Sequence, residues 1–183
     1  QVLDTYQTFV NPYRRLSDFI MRFTGITQPE VDGAPTFSEA AGDLASFLGS
    51  SPVVGHHLSF DLGFLSNKGL RLSNSRCDTW DLAYVLFPEL PDYSLRALAD
   101  SVNIAHPRPH RALEDALATK GVFVELVDRL SDLDICILAE MQRLAARSSW
   151  VLSYLLKHLE APEIGKASHP SLYGRVGSHP TRV

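Results

Sequence analysis

The chain has 183 residues, of which 45% are hydrophobic and 21% are charged, and these proportions exclude a disordered, collagen-like or low-complexity protein for most of its length. Its formal net charge of −4 argues against a protein that coats nucleic acid through phosphate contacts alone. Two cysteines are too few for a disulfide scaffold or a zinc cluster, so a reducing cytoplasm is the default compartment, and we expect neither a membrane span nor a signal peptide.

Strands and helices alternate along the first part of the chain, as in an α/β layer structure. Residues 2–10 are rich in β-branched and aromatic side chains, which favours a strand. Thr36 and Glu39 have the spacing of a capping box, in which each side chain bonds the backbone N–H of the other residue. The predicted strands are 2–10 and 52–55, and the predicted helices are 16–23, 36–49, 59–68, 79–87, 94–102 and 111–130.

The longest of these helices carries apolar residues at helical spacing, and we expect that face to point inward. The predicted inward residues are Ala112, Leu113, Ala116, Leu117, Phe123 and Val127.

The character of the sequence changes after residue 130. Two amphipathic stretches, about 132–146 and 149–160, predict a helical hairpin. From residue 161 onward the chain is rich in Pro, Gly and Ser without hydrophobic periodicity, which is typical of a linker or a flexible tail. The predicted organisation is a domain over 1–130, a helical appendage over 131–160 and a tail over 161–183.

Two segments carry residues suited to chemistry. Asp61 follows an apolar strand and a polar turn, which places it at the carboxyl end of a strand, where open α/β sheets hold their ligands. His110 and Asp115 flank the start of the longest helix, and five helical steps would leave them about 140° apart, so His110 must precede the helix. Taken singly, each is more often a capping or surface residue.

The three residues together have a more specific meaning. Hydrolysis of a phosphodiester by two divalent ions needs carboxylates that bind the metals and a base that takes a proton from the attacking water. Asp61, Asp115 and His110 supply two carboxylates and one base. If they form one site, the two carboxylates should lie within about 8 Å of each other, because the ions of such sites lie ~4 Å apart.

These segments resemble the DEDDh-type, DnaQ-like 3′–5′ exonucleases, which include the proofreading subunit of the bacterial replicative polymerase. The resemblance covers about residues 1–130. Residues 54–61 match the second motif of the family, and His110 with Asp115 matches its third motif, His-x4-Asp. Weaker matches join these motifs at Val10-Asn11-Pro12, at Thr24–Thr27, at Asp78-Thr79 with Leu82-Ala83, and at Tyr93-Ser94-Leu95 with Leu98.

The resemblance implies an RNase H-like three-layer α/β fold that lacks its first strands and carries a C-terminal helical hairpin. It implies hydrolysis of DNA from a single-stranded 3′ end with release of nucleoside monophosphates, in replication or repair. Two Mg²⁺ or Mn²⁺ ions would act in the complete site, and oxygen ligands suit Mg²⁺. The implied site residues are Asp61 and Asp115 as metal ligands, His110 as general base, and Thr24, His57 and Phe64 as contacts to the terminal nucleotide.

The sequence departs from the family pattern in two places. His57 stands where the second motif normally has Asn. The first motif, Asp-x-Glu on the central strand, is absent, because the closest imitation at Asp4 has Tyr6 in the place of the Glu. Two of the four metal carboxylates would then be missing, so the alternative function is an inactive nucleic-acid-binding or linker module.

Two further expectations come from the resemblance. Without the family's first strands, residues 2–10 should be detached from the strand at 52–56 or paired directly with it, and the isolated chain should be weakly stable and inactive. The helical hairpin resembles the region that joins an exonuclease domain to a helicase in DinG-type helicases. The expected partners are therefore DNA and a helicase or polymerase, in cis or in trans.

Overall fold

The computed structural model describes residues 1–148, 150 and 152–159. In these ranges the chain forms nine helices and two short strands, and no helix there is long and apolar enough to cross a membrane. The strands are β1 (Val53–Gly55) and β2 (Arg76–Asp78). The helices are α1 (Asp18–Thr24), α2 (Gln28–Asp32), α3 (Phe37–Leu48), α4 (Leu58–Asn67), α5 (Thr79–Leu86), α6 (Leu95–Ser101), α7 (Ala112–Ser131), α8 (Ile135–Ala145) and α9 (Ser153–His158).

The predicted capping residues begin the helices as expected. The Thr36 hydroxyl accepts a hydrogen bond from the Glu39 backbone N–H at 3.2 Å, and the Glu39 carboxylate accepts one from the Thr36 N–H at 2.7 Å. The Ser94 hydroxyl caps α6 by accepting a hydrogen bond from the Ala97 backbone N–H at 3.3 Å. The short helix α2 was not predicted, although Thr27 and Glu30 form a second capping box at its start.

The two strands pair in parallel, with Val54 opposite Cys77 and Gly55 opposite Asp78. A Cβ atom on Gly55 would lie 2.6 Å from Cδ1 and 3.1 Å from Cβ of Leu58, so a larger residue here would displace the Leu58 side chain in the first turn of α4. The two carboxyl ends lie side by side, and each leads directly into a helix. β2 was not predicted, because three residues that include Arg and Asp give no strand pattern.

The core joins the predicted helical hairpin to the rest of the fold. Leu138 on α8 and Leu152 and Leu156 at α9 belong to the same buried cluster as Leu82 on α5 and Leu98 on α6. The hairpin therefore packs on α5–α7 through one continuous core. The predicted tail over 161–183 lies outside the described residues.

The prediction of a strand over residues 2–10 is wrong. Of the two arrangements expected for this segment, detached from β1 or paired with it, the structure shows the first. This segment forms no strand, and the sheet consists of β1 and β2 within the described residues. It lies along α3 instead, where the Tyr6 hydroxyl donates to the Ala40 carbonyl at 3.3 Å and the Tyr6 ring contacts Phe47. A high strand propensity is not sufficient, because a strand also needs a partner that offers its backbone groups.

The face of α7 predicted to be buried is also wrong in part. Ala112, Ala116 and Leu117 are exposed. The residues of α7 that are buried form a stripe about 100° around the helix from the predicted face. The contacts of α7 with α5 and α6 select this stripe, and sequence periodicity alone could not identify it. Its members are Ala118, Thr119, Val122, Leu126 and Leu130.

We expect Leu126→Ala to lower the free energy of unfolding by about 2–5 kcal/mol, because it removes a fully buried side chain and leaves a cavity. Leu117→Ala on the same helix is the matched control, and we expect a loss of about 0.5 kcal/mol because Leu117 is 39% exposed. Urea denaturation followed by circular dichroism measures both. Equal losses in the two variants would contradict this assignment of the buried face.

Candidate active site

The buried carboxylate of Asp78 organises the carboxyl edge of the sheet. Its Oδ1 accepts hydrogen bonds from the backbone N–H groups of His57 at 3.1 Å and Trp80 at 3.0 Å, and its Oδ2 accepts from Leu58 N–H at 2.8 Å. One side chain thus satisfies the starts of α4 and α5 together. Sequence reasoning did not assign this role to Asp78, although an aspartate that directly precedes a helix is a recognisable N-cap pattern.

His56 and Thr79 form a second connection between the strand ends. The buried Thr79 hydroxyl donates to the Gly55 carbonyl at 3.1 Å, so it accepts from His56 Nδ1 at 3.0 Å. His56 Nε2 is buried without a partner among the described residues. Desolvation lowers the pKa of His56, and the nearby charge of His57 lowers it further. His56 thus fixes the turn before α4 through its hydrogen bond to Thr79.

His57 occupies a position that requires unusual backbone geometry. Its φ of 56° and ψ of 44° lie in the left-handed region, where Asn and His are enriched among non-glycine residues. The replacement of the family's Asn by His57 thus preserves the backbone requirement at this position. The exposed His57 ring lies 5.2 Å from the Trp80 ring, between centroids, and Trp80 in turn stacks on Tyr84.

Asp61 lies in the first turn of α4, on the exposed side of the helix. Desolvation by neighbouring protein atoms raises the pKa of its carboxyl group, and the negative charge of Asp78 raises it further. Of the described residues, only its own backbone N–H donates to this carboxylate.

Asp115 connects the start of α7 to the loop before it. Its Oδ1 accepts a hydrogen bond from the His110 backbone N–H at 3.1 Å and lies 2.6 Å from His106 Nε2. His110 has a φ of 70°, so it precedes the regular helix as predicted. His106, which sequence reasoning missed, gives no local signal, because its partner lies nine positions away across an irregular loop.

The His110 ring is exposed and stacks on Phe23 of α1, with 3.8 Å between the ring centroids. The neighbouring Arg111 guanidinium donates to the Thr24 carbonyl at 3.5 Å. These contacts bring Thr24 and His110 together, although they are distant in sequence. The Thr24 hydroxyl itself donates to the Ile20 carbonyl at 2.8 Å and accepts from the Ile26 N–H at 3.2 Å.

Phe64 lies on α4, two turns from the sheet edge, and is 52% exposed. Its ring meets Phe37 of α3 edge to face, with 6.2 Å between centroids. The Lys68 ammonium lies 5.9 Å from the same ring centroid. Phe64 therefore presents part of its ring to solvent while it packs on α3.

Five of the six predicted site residues fall into two groups by their contacts, and Phe64 lies apart from both, against α3. Thr24, His110 and Asp115 form one group, and His57 and Asp61 form the other around Asp78. β1, which leads into α4, contacts α7. Convergence of the Asp61 and Asp115 carboxylates within about 8 Å stays a prediction.

The carboxylates fit a divalent cation in donor type but do not form a complete site. Carboxylate oxygens are the ligands that Mg²⁺ prefers, and no described residue donates to Oδ2 of Asp115. Across the described ranges, no group of three or more His, Cys, Asp or Glu residues is arranged to hold a metal ion. The assignment of Asp61 and Asp115 as metal ligands therefore stays a prediction.

A family model described as Exonuclease, RNase T, matches residues 1–123. The chain belongs to the RNase T exonuclease family. The matched range contains all six predicted site residues, and the resemblance to DnaQ-like exonucleases is confirmed. Enzymes of this exonuclease family generally depend on divalent metal ions.

The chain is similar to parts of much larger proteins. It is 33% identical over 145 residues to a PolC-type DNA polymerase III of Caldanaerobacter subterraneus subsp. tengcongensis. The aligned region covers 77% of this chain and 10% of that protein. It is 29% identical over 174 residues to the 3′-5′ exonuclease DinG of Bacillus subtilis, and this aligned region covers 88% of this chain and 19% of DinG. The chain thus spans about a tenth to a fifth of the length of these relatives.

The fold is similar to that of a solved exonuclease. The structure of Exonuclease X in complex with 5′ overhanging duplex DNA matches with a TM-score of 0.51 and 25% sequence identity, over 65% of this chain and 70% of that one. This match confirms the predicted α/β, RNase H-like fold class in reduced form. The parallel pair of β1 and β2 with its helices is the part of that fold which the described residues contain.

Removal of Asp78 should destabilise this family member more than removal of an ordinary cap. We expect Asp78→Ala to lower the free energy of unfolding by about 1–4 kcal/mol, because it removes the caps of two helices at about 0.5–2 kcal/mol each. Ser94→Ala removes the single cap of α6 and is the matched control. Chemical denaturation measures both, and a smaller loss for Asp78→Ala than for Ser94→Ala would contradict the double capping role.

The raised pKa of Asp61 predicts a pH-dependent effect of its neutralisation. A carboxyl group whose pKa is higher in the folded state destabilises the fold when ionised, so Asp61→Asn should raise the melting temperature near neutral pH. This gain should shrink as the pH falls through the folded-state pKa and vanish below the ordinary value of 3.8. Thermal unfolding at a series of pH values measures the effect.

Asp43→Asn, on the exposed surface of α3, controls for the change in net charge in that experiment. A gain for Asp61→Asn that is independent of pH between about 7 and 4 would contradict an ionisation effect.

Proposed function

We propose that the chain is the 3′–5′ exonuclease domain of a DNA-processing enzyme, which hydrolyses DNA from a single-stranded 3′ end and releases nucleoside monophosphates in replication or repair. The observation that carries this proposal is the family match over residues 1–123, which includes both Asp61 and the His110–Asp115 segment. The relative named as a 3′-5′ exonuclease supports the direction of hydrolysis, and the structural neighbour bound to DNA supports the substrate.

Asp61 and Asp115 would be two of the ligands of Mg²⁺ or Mn²⁺. When bound, such ions supply an activated water and stabilise negative charge on the phosphate. His110 would take the proton of the attacking water. Its ring contacts Phe23 through a face, so the two nitrogens at the ring edge stay accessible to water.

Three residues are the proposed contacts to the terminal nucleotide. His57 and Phe64 carry exposed ring surface, which can stack on a base. The Thr24 hydroxyl is already bonded at the end of α1, so Thr24 would act chiefly through packing and through its place beside Arg111.

The proposed partners are DNA and a polymerase or helicase, in cis or in trans. Relatives of both kinds support this setting, because the matched PolC-type protein is a polymerase and the matched DinG is the type in which an exonuclease domain adjoins a helicase. The proposed place of action is the cytoplasm, where the free thiols of Cys77 and Cys136 would stay reduced.

A second candidate function is an inactive module that binds nucleic acid or links other domains. One observation favours it: among the described residues, no group of three or more His, Cys, Asp or Glu residues is arranged to hold a metal ion. Both candidates share the fold, so only the metal-dependent reaction separates them.

The test compares residues 1–183 with the same chain extended at its N-terminus by an Asp-x-Glu strand taken from the PolC-type relative. Each is incubated with 3′-labelled single-stranded DNA and Mg²⁺ or Mn²⁺. We expect release of mononucleotides from the extended chain only, because two carboxylates cannot hold two ions. Release from residues 1–183 that Asp115→Ala abolishes would show that the first motif is dispensable.

In the extended chain, His110→Ala should lower the rate about 10²–10⁴-fold, since a positioned base contributes that much, while metal binding persists. Asp115→Ala should lose both the reaction and metal affinity. Calorimetric titration with Mn²⁺ separates the two variants. Equal loss of metal binding in both would make His110 a ligand, and an inactive extended chain would favour the second candidate function.

A further inference from the structure

His106 is almost entirely enclosed and bonded to a proposed metal ligand. Its side chain is only 5% exposed, and its Nε2 lies 2.6 Å from Oδ1 of Asp115. A carboxylate can only accept, so Nε2 carries the proton and donates. Nδ1 is buried without a partner among the described residues.

The hydrogen bonds of Asp115 are unequally divided between its oxygens. Oδ1 accepts from His106 and from the His110 backbone N–H at 3.1 Å, whereas no described residue donates to Oδ2. These two hydrogen bonds fix the orientation of the Asp115 carboxylate, and its Oδ2 has no donor among the described residues. The same Oδ1 also anchors the backbone of His110, which has a φ of 70°.

We propose that His106 is a positioning residue: it holds Oδ1 of Asp115, leaves Oδ2 to bind the cation, and through Asp115 fixes the loop that presents His110. The inference rests on the proposed function, because it concerns a carboxylate that would bind the ion. Hydrogen bonds from neighbouring residues commonly orient metal ligands in this manner. Neither the second nor the third motif includes His106.

The experiment measures the Mn²⁺ affinity of residues 1–183 extended by the Asp-x-Glu strand, as above, by the paramagnetic resonance of free Mn²⁺. His106→Phe keeps a planar ring without a donor and should weaken binding about 10–100-fold, as loss of such partners typically does. His106→Gln keeps a side-chain N–H donor and should restore most of the affinity. His158→Phe, an exposed histidine substitution on α9, is the control and should leave it unchanged.

Two further measurements separate positioning from general destabilisation. In an Asp115→Asn background, His106→Phe should have no additional effect on Mn²⁺ affinity. Hydrogen exchange by NMR should show faster exchange of the His110 amide in His106→Phe than in His106→Gln, relative to amides of the α5–α7 core. A merely structural role would instead change all amides alike and leave the affinity of both variants equal.

Each outcome has a distinct meaning. A folded His106→Phe variant with unchanged His110 exchange and unchanged Mn²⁺ affinity would overturn the inference. If the extended chain with native His106 binds no Mn²⁺, the proposed role of Asp61 and Asp115 as metal ligands fails, and the exchange of the His110 amide alone decides whether His106 positions this loop.

Discussion

The fold at the sheet edge depends on one buried carboxylate. Asp78 is the last residue of β2 and accepts three backbone N–H groups, from the start of α4 and the start of α5. Because α4 carries Asp61 and begins beside His57, the direction in which these residues leave the sheet follows from that one set of hydrogen bonds. The close approach at Gly55 and the link from His56 to Thr79 tighten the same turn from the other side.

The protein holds the two proposed metal ligands differently. Desolvation and the charge of Asp78 raise the pKa of Asp61, and among the described residues Asp115 accepts hydrogen bonds through Oδ1 alone. If these carboxylates bind a cation as proposed, its charge would offset the repulsion between Asp61 and Asp78. The exposed ring of His110 lies against Phe23, on the loop that Asp115 holds.

Local patterns were predictable from the sequence, whereas non-local ones were not. Thr36, Glu39 and Ser94 act on residues three positions away, so their capping roles could be read directly. The position of His110 before α7 followed from helix geometry. The buried face of α7, the contact of His106 with Asp115 and the absence of a strand over 2–10 depend on which elements become neighbours, and no local pattern encodes that.

The shared core of the hairpin has a consequence for folding during synthesis. Leu82 on α5 and Leu156 on α9 are far apart in sequence yet lie in one buried cluster. A growing chain that has completed α7 still exposes the apolar surface that α8 and α9 later cover. The exonuclease-like part should therefore reach its native packing only after α9 has left the ribosome, and until then its nascent surface would be a natural substrate for chaperones.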